Sequence, residues 1–277
     1  MAVRVVTDST AALPAGAAER LGVRVVPLGV TLGGRTGLEG VDVWPRDVAT
    51  ALGRHEVVST SQPTPAALAE AFAGAGDVVV VLLSGRLSGT CDAARLIVRD
   101  VAAGTKVEVV DSRSATMGLG FIVLAAARVA AGGGSLAEVA ATAREAVLQT
   151  DVFFCLDTLE HARRGGRVRA TQALVGAALS VKPILHLVDG ALEPLERVRT
   201  SARALQRLED LAVARSGEER VEVAVHHLAA AERANALASR LRERLGTRLE
   251  DLVVTEVGAV IGAHGGPGLV GVVVHRL

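Results

Sequence analysis

The sequence predicts an α/β protein: an N-terminal α/β/α domain built on a parallel sheet, then a C-terminal α+β domain. Three observations lead there. Apolar-rich runs at Val3–Thr7, Val78–Leu83 and Val107–Val110 alternate with helix-length segments, the pattern of buried strands covered on both faces. Asp189-Gly190 separates two further runs, Val181–Leu187 and Leu192–Arg197, and reads as a hairpin turn. The 277 residues exceed one minimal core and fit one large or two ordinary domains.

Each element has a local reason. Ser9 or Thr10 caps a helix after the first strand. Val23–Leu32 reads as extended, with Gly33-Gly34 as a turn, and Trp44–Leu52 as a weak helix. Val57-Val58 runs into the polar stretch Ser59–Gln62, which is a helix start, a turn or a ligand grip. Thr64-Pro65 then reads as an N-cap and first helical residue of a helix reaching Phe72. Helices follow at Gly89–Arg99, at Ala115–Ala131 before three glycines, and at Ser135–Gln149. After the hairpin come a helix at Ser201–Arg215, a strand at Val221–His226, a helix at Ala231–Leu245, and two strands around Gly258–Gly268. The domain boundary is expected near Cys155–Val168, giving domains 1–155 and 156–277.

Composition excludes several classes. Net charge is zero, so no global attraction to nucleic acid or an anionic membrane is expected. Aromatics make up 2% of residues, too few for base-stacking platforms, and the core must come from Ala, Val and Leu. Two cysteines make neither a disulfide framework nor a zinc site, and no His/Asp/Glu spacing suggests another metal. The longest uncharged apolar stretch, Ser114–Ala127, has 14 residues, short of the roughly 18 to 20 a bilayer requires. The start turns polar within seven residues, unlike a signal peptide. A cytoplasmic protein without a transmembrane segment is expected.

Polar clusters fall where strands give way to helices, the place ligands collect in parallel sheets. They are Thr7–Thr10, Ser59–Gln62, Ser84–Thr90 and Asp111–Ser114. Ser88-Gly89-Thr90 should open a helix, either as an ordinary cap or as backbone donors for an anion. No Gly-Lys-Ser/Thr follows, so it is not a Walker loop. His264 sits among Gly262, Gly265, Gly266 and Gly268, as a site group or as a buried structural histidine. RRGGRV at 163–168, with Arg199 later, is solvated surface or a phosphate-facing patch. His226-His227 reads as a strand-end pair. Ser88 and His264 lack an identifiable third group that would make them nucleophile and base.

Taken together, VTDSTAALP, TSQPTPAAL, LSGRLSGTCDAARL, VVDSRSATMGLG, DTLEHARRGGRV, LSVKPILHLVDGAL with VRT, and EVGAVIGAHGGPGLVGV resemble the DegV family across the whole chain. Better understood members are fatty-acid-binding subunits of bacterial fatty acid kinase. The chain departs from the family at Ser84-Gly85-Arg86, where a second serine is frequent, and at Arg164, where lysine is frequent. The resemblance implies two domains with a lipid between them, and no cofactor beyond that bound acid. It also implies a separate ATP-binding kinase subunit that phosphorylates the held acid, this chain carrying the acyl phosphate without a catalytic engine of its own. The carboxylate would be held by Thr60, by Ser88 with Gly89, and by His264; Arg167 and Arg199 would face phosphate or partner.

The residues agree. A carboxylate needs donors, which Thr60 and Ser61 supply as hydroxyls. A tail needs aliphatic lining; Met117, Leu119, Phe121 and Ile122 either line such a tunnel or pack the core. The alternative from another class is a hydrolase or phosphotransferase acting on a small polar substrate through the same loops.

Overall fold

The computed structural model describes residues 3–74, 76–99, 105–168 and 181–277. Strand β1 (Arg4–Asp8) leads through helix α1 (Ala17–Leu21) to β2 (Arg24–Val26). Strands β3 (Gly29–Leu32) and β4 (Arg35–Leu38) form a hairpin over Gly33-Gly34, both at positive φ. Helix α2 (Pro45–Gly53), strand β5 (Val58–Ser61) and helix α3 (Pro65–Phe72) follow, with Thr64 Oγ1 accepting the Ala67 N–H as α3 begins. Then come β6 (Val78–Leu82), α4 (Thr90–Val98), β7 (Val107–Asp111), α5 (Met117–Ala131) and α6 (Leu136–Leu148). The last part contains β8 (Thr150–Cys155), α7 (Glu160–Arg164), β9 (Lys182–Val188), β10 (Ala191–Val198), α8 (Ser201–Ser216), β11 (Val221–His227), α9 (Ala231–Leu245), β12 (Leu249–Glu256), α10 (Ala259–Gly265) and β13 (Val270–Arg276).

Three sheets result. The expected parallel sheet has the order β2-β1-β6-β7. A mixed sheet has the order β10-β9-β8-β13-β11-β12, and a small antiparallel sheet the order β4-β3-β5. The Asp189-Gly190 turn is confirmed, both residues having positive φ as a tight hairpin requires. Among the described residues, no helix is long and apolar enough to cross a membrane.

The differences from expectation have physical reasons. The run Val23–Leu32 divides at Pro27, which offers no N–H to a ladder. Val26 ends one sheet and Gly29 begins another. The polar stretch after Val57-Val58 is itself strand β5, paired with β3 so that Thr60 lies opposite Val30. The glycine-rich segment around His264 is helix α10, because Gly262 and Gly265 admit Leu228 and Leu269 against the helix. Strand β8 pairs with β13 and β9, so Thr150–Cys155 sits in the mixed sheet.

Helix α5 is the shared wall. It packs on β1 and β6 of the parallel sheet and on β8 and β13 of the mixed one. Leu119, Ile122 and Val123 join the core of the first; Met117, Phe121 and Leu124 join that of the second. From Met117 to Leu124 the helix is apolar on every face and buried on every face. Gly120 permits the close approach: a Cβ there would lie 2.6 Å from the Ala11 carbonyl oxygen.

Gly120→Ala should therefore lose about 1–3 kcal/mol to overpacking, outweighing a helix-propensity gain of about 1 kcal/mol, and melt several degrees lower. Gly53→Ala, where a Cβ meets nothing within 4 Å, should melt at or above the parent. Equal melting of both variants in calorimetry would show that α5 can shift.

Candidate functional site

A cavity of about 490 Å³ opens between the parallel and mixed sheets, within the range of small-molecule sites. Strand β5, the loop from Leu83 to Gly89, the end of β8, the β9–β10 hairpin and α10 all line it. Its polar groups are contiguous. Thr60 Oγ1 and His264 Nε2 share a hydrogen bond of 2.9 Å across 204 residues of sequence. The His264 ring packs on Gly165, where a Cβ would lie 2.2 Å from Nδ1. Arg167 donates from Nη1 to the Gly165 carbonyl at 2.5 Å and from Nε to the Leu87 carbonyl at 3.1 Å. Gly89 in turn packs on the Gln62 amide, which a Cβ would approach to 2.7 Å.

Strand alternation explains the aim of these groups. In β5, Val58 and Thr60 point inward while Ser59 and Ser61 are exposed. Ser61 lines the open side of the cavity, its hydroxyl leaning over Gly29, where a Cβ would lie 2.3 Å away. Ser88 Oγ lies 2.8 Å from Thr90 Oγ1, and the Ser88 N–H donates to the Ser84 carbonyl. The Gly89 N–H has no protein partner among the described residues, and it points from the turn that opens α4.

Electrostatically the cavity favours an anion. Among the described residues no Asp or Glu lines it, and Arg167 does. Burial, and secondarily the Arg167 guanidinium, push the His264 imidazole down to about 4, so it is neutral at pH 7. A neutral ring has one N–H and one lone pair. If Nε2–H donates to Thr60, the threonine hydrogen is free for a ligand.

The remainder is aliphatic. Phe154 and Leu185 lie directly opposite each other on β8 and β9, and Leu187 opposite Leu192 on β9 and β10. Together with Leu156 and Leu269 they build the wall. This corrects the expectation for Met117, Leu119, Phe121 and Ile122. None of them lines the cavity; all are buried in the two cores that clasp α5. The signal that would have found the true wall is period-two spacing, at Phe154/Leu156 and Leu185/Leu187. Arg199 is likewise elsewhere, exposed in a shallow groove with Arg197 and Arg203 where β10 meets α8. Thr60, Ser61, Ser88, Gly89, His264 and Arg167 do meet at one cavity. Among the described residues, no cluster of His, Cys, Asp and Glu is arranged to hold a metal.

A family model described as "Uncharacterised protein, DegV family" matches residues 2–276. The chain belongs to the DegV family. A DegV domain-containing protein of Streptomyces coelicolor is 50% identical over 277 residues, 98% of either chain. A solved DegV family protein from Thermus thermophilus, described as fatty acid binding, superposes with a TM-score of 0.92 at 34% identity, covering both chains fully. DegV of Bacillus subtilis, described as a fatty acid binding protein, gives 0.90 at 29%, again over both full chains.

His226, His264 and His275 are all pushed down to about 4, chiefly by burial. Unfolded, each titrates near 6.5. Their contribution to stability is therefore full above pH 6.5 and lost as pH falls towards 4. Asp8 and Glu39, raised by burial, act in the opposite sense, gaining protons in the folded state first. Comparing the parent with His264→Gln isolates one imidazole. The parent should lose up to roughly 3 kcal/mol more than the variant between pH 6.5 and 4 in urea denaturation. Parallel curves would show that His264 is hydrated and titrates normally.

Proposed function

We propose that this chain binds a long-chain fatty acid, presents its carboxylate to a separate ATP-dependent kinase subunit, and then carries the acyl phosphate. The observation that carries the reading is one cavity with an aliphatic wall and a polar end of neutral donors beside the Arg167 cation. Similar proteins of Thermus thermophilus and Bacillus subtilis, described as fatty acid binding, support it.

The chemistry of the ligand divides as the cavity does. Each buried methylene is worth about 0.8 kcal/mol, so a fifteen-methylene tail gains roughly 12 kcal/mol before association costs of several kcal/mol. The head contributes orientation. In the tautomer with Nε2–H, His264 donates to Thr60 and Thr60 donates to the carboxylate. The Gly89 N–H and the Ser61 and Ser88 hydroxyls offer further donors, and Arg167 balances the charge. In the transfer step a carboxylate oxygen attacks the γ-phosphorus of ATP, the bond to the bridging oxygen breaks, and ADP leaves on the kinase. The product carries more negative charge than the acid, which gives Arg167 its role. We assign Arg199, on its separate exposed groove, to contact with the partner.

The reading is favoured over a hydrolase by the pairing itself. The hydroxyl that His264 meets is that of Thr60, while Ser88 pairs with Thr90. That arrangement builds a hydrogen-bonding clasp, not a serine nucleophile with its base.

Native mass spectrometry of the purified protein should show a co-purified fatty acid, or uptake of one on addition. Thr60→Val, which removes the relay hydroxyl at nearly constant shape, should weaken retention about tenfold. Leu187→Trp, which fills the aliphatic wall, should shift the retained acids to shorter chains. With an ATP-binding kinase subunit and ATP, hydroxylamine should trap the acyl phosphate as a hydroxamate. A parent protein that neither carries nor takes up any fatty acid would overturn the reading.

A further inference from the structure

The two halves of the clasp reach the cavity from distant parts of the chain, so something must fix α10 against β5. Helix α10 is short and begins at Gly258, which has no side chain to cap it. The cap arrives from the small sheet. Glu39, directly after β4, is 6% exposed, and its Oε1 accepts the Val260 N–H at 2.8 Å. Its Oε2 accepts the Ser9 hydroxyl hydrogen. Ser9 Oγ accepts the Leu28 N–H at 3.0 Å, and the Leu28 carbonyl accepts the Glu39 N–H at 2.9 Å. Carboxylate, hydroxyl and backbone thus close a ring at the base of the small sheet. Gly258 makes room for it, since a Cβ there would lie 2.3 Å from Glu39 Oε1.

Glu39 is not among the residues that line the cavity, whereas Leu28, Val260 and His264 are. We propose that Glu39 is the positioning residue of the clasp: by holding the first turn of α10 on the sheet that carries Thr60, it sets the Thr60–His264 hydrogen bond. The role of the clasp in holding an acid rests on the function proposed above; the geometry of the clasp does not. A buried acid beside an anion site would ordinarily repel the ligand. Here the carboxyl group does not line the cavity, and its oxygens are taken up by Ser9 and by the start of α10.

The test therefore uses two separate readouts. The first is the His264 ring resonances by NMR in ligand-free protein, the second palmitate affinity by titration. Glu39→Ala removes the cap, and Gly258→Ala displaces it while leaving the carboxylate in the chain. Both should move the His264 resonances, raise the pH at which the ring titrates from about 4 towards 6.5, and weaken palmitate on the order of tenfold. Glu39→Gln keeps an oxygen for the Val260 N–H and should stay within about threefold of the parent. In the parent, the Val260 amide should be protected from hydrogen exchange, a measurement that needs no variant to fold. Unchanged His264 resonances in a folded Glu39→Ala or Gly258→Ala variant, or a Val260 amide exchanging as fast as an exposed one, overturns the proposal. If the parent fails to bind palmitate while the resonances move as expected, the positioning role stands and the fatty-acid reading falls.

Discussion

The hydrogen bond between Thr60 and His264 is the constraint on which the site depends. It joins a strand of the small antiparallel sheet to a helix near the end of the chain. The small sheet lies, in sequence, between two strands of the parallel sheet, and α10 between two strands of the mixed one. One contact of 2.9 Å therefore ties the small sheet to a helix inserted between strands of the mixed one. A second tie works at the other side of α5, where His226 Nε2 on β11 accepts the Met117 N–H at 3.1 Å. Both ties use neutral imidazoles held neutral by burial. Protonation of His226 would remove the lone pair that accepts, so the two sheets hold α5 between them most firmly at neutral pH and above.

The cavity follows from what each sheet can spare. The β8–β9–β10 region presents one face to α8 and the other to the cavity, and period-two alternation puts leucines and Phe154 on the latter. A chain with so few aromatics lines this space with branched aliphatic groups, which offer a flexible alkyl tail dispersion contacts without demanding a shape. The hairpin tip is fastened rather than free. The buried Ser84 hydroxyl donates to the Gly190 carbonyl at 2.7 Å, so the mixed sheet's edge is fixed to the loop that leads to Ser88 and Gly89.

Much of this was legible in the residues, and the failures share a cause. Uninterrupted buried strands such as Val78–Leu82, the Thr64-Pro65 helix start and the Asp189-Gly190 turn are local signals, and they appear as expected. The polar residues that meet at the cavity also stood out in the sequence, although Ser88-Gly89-Thr90 read equally well there as an ordinary helix cap. The tail wall did not. Met117–Ile122 lies in the longest uncharged apolar stretch and drew the assignment, yet a helix packed by sheets on both sides needs that apolarity for packing alone. Phe154 and Leu156 were hidden in a strand that the sequence leaves unmarked, since β8 follows α6 without a glycine or proline. Glu39 gave no signal at all: a lone acid after a polar hairpin looks solvated until the distant Val260 N–H is placed beside it.

A clasp made of neutral donors suits a group that must be held and also remain reactive. A carboxylate gripped by a buried ion pair is strongly stabilised in its charged ground state, and release then costs several kcal/mol. Hydroxyl and amide donors each contribute about 1 kcal/mol net, enough to orient the proposed acid while its tail supplies affinity. Arg167 is arranged in the same spirit. Its guanidinium is already engaged by the Gly165 and Leu87 carbonyls, and it is half-buried at the cavity rather than sealed inside. A cation so shared attracts an anion without locking onto it. Burial, with Arg167 adding to it, keeps the neighbouring His264 unprotonated, so no second positive charge forms there beside the proposed carboxylate.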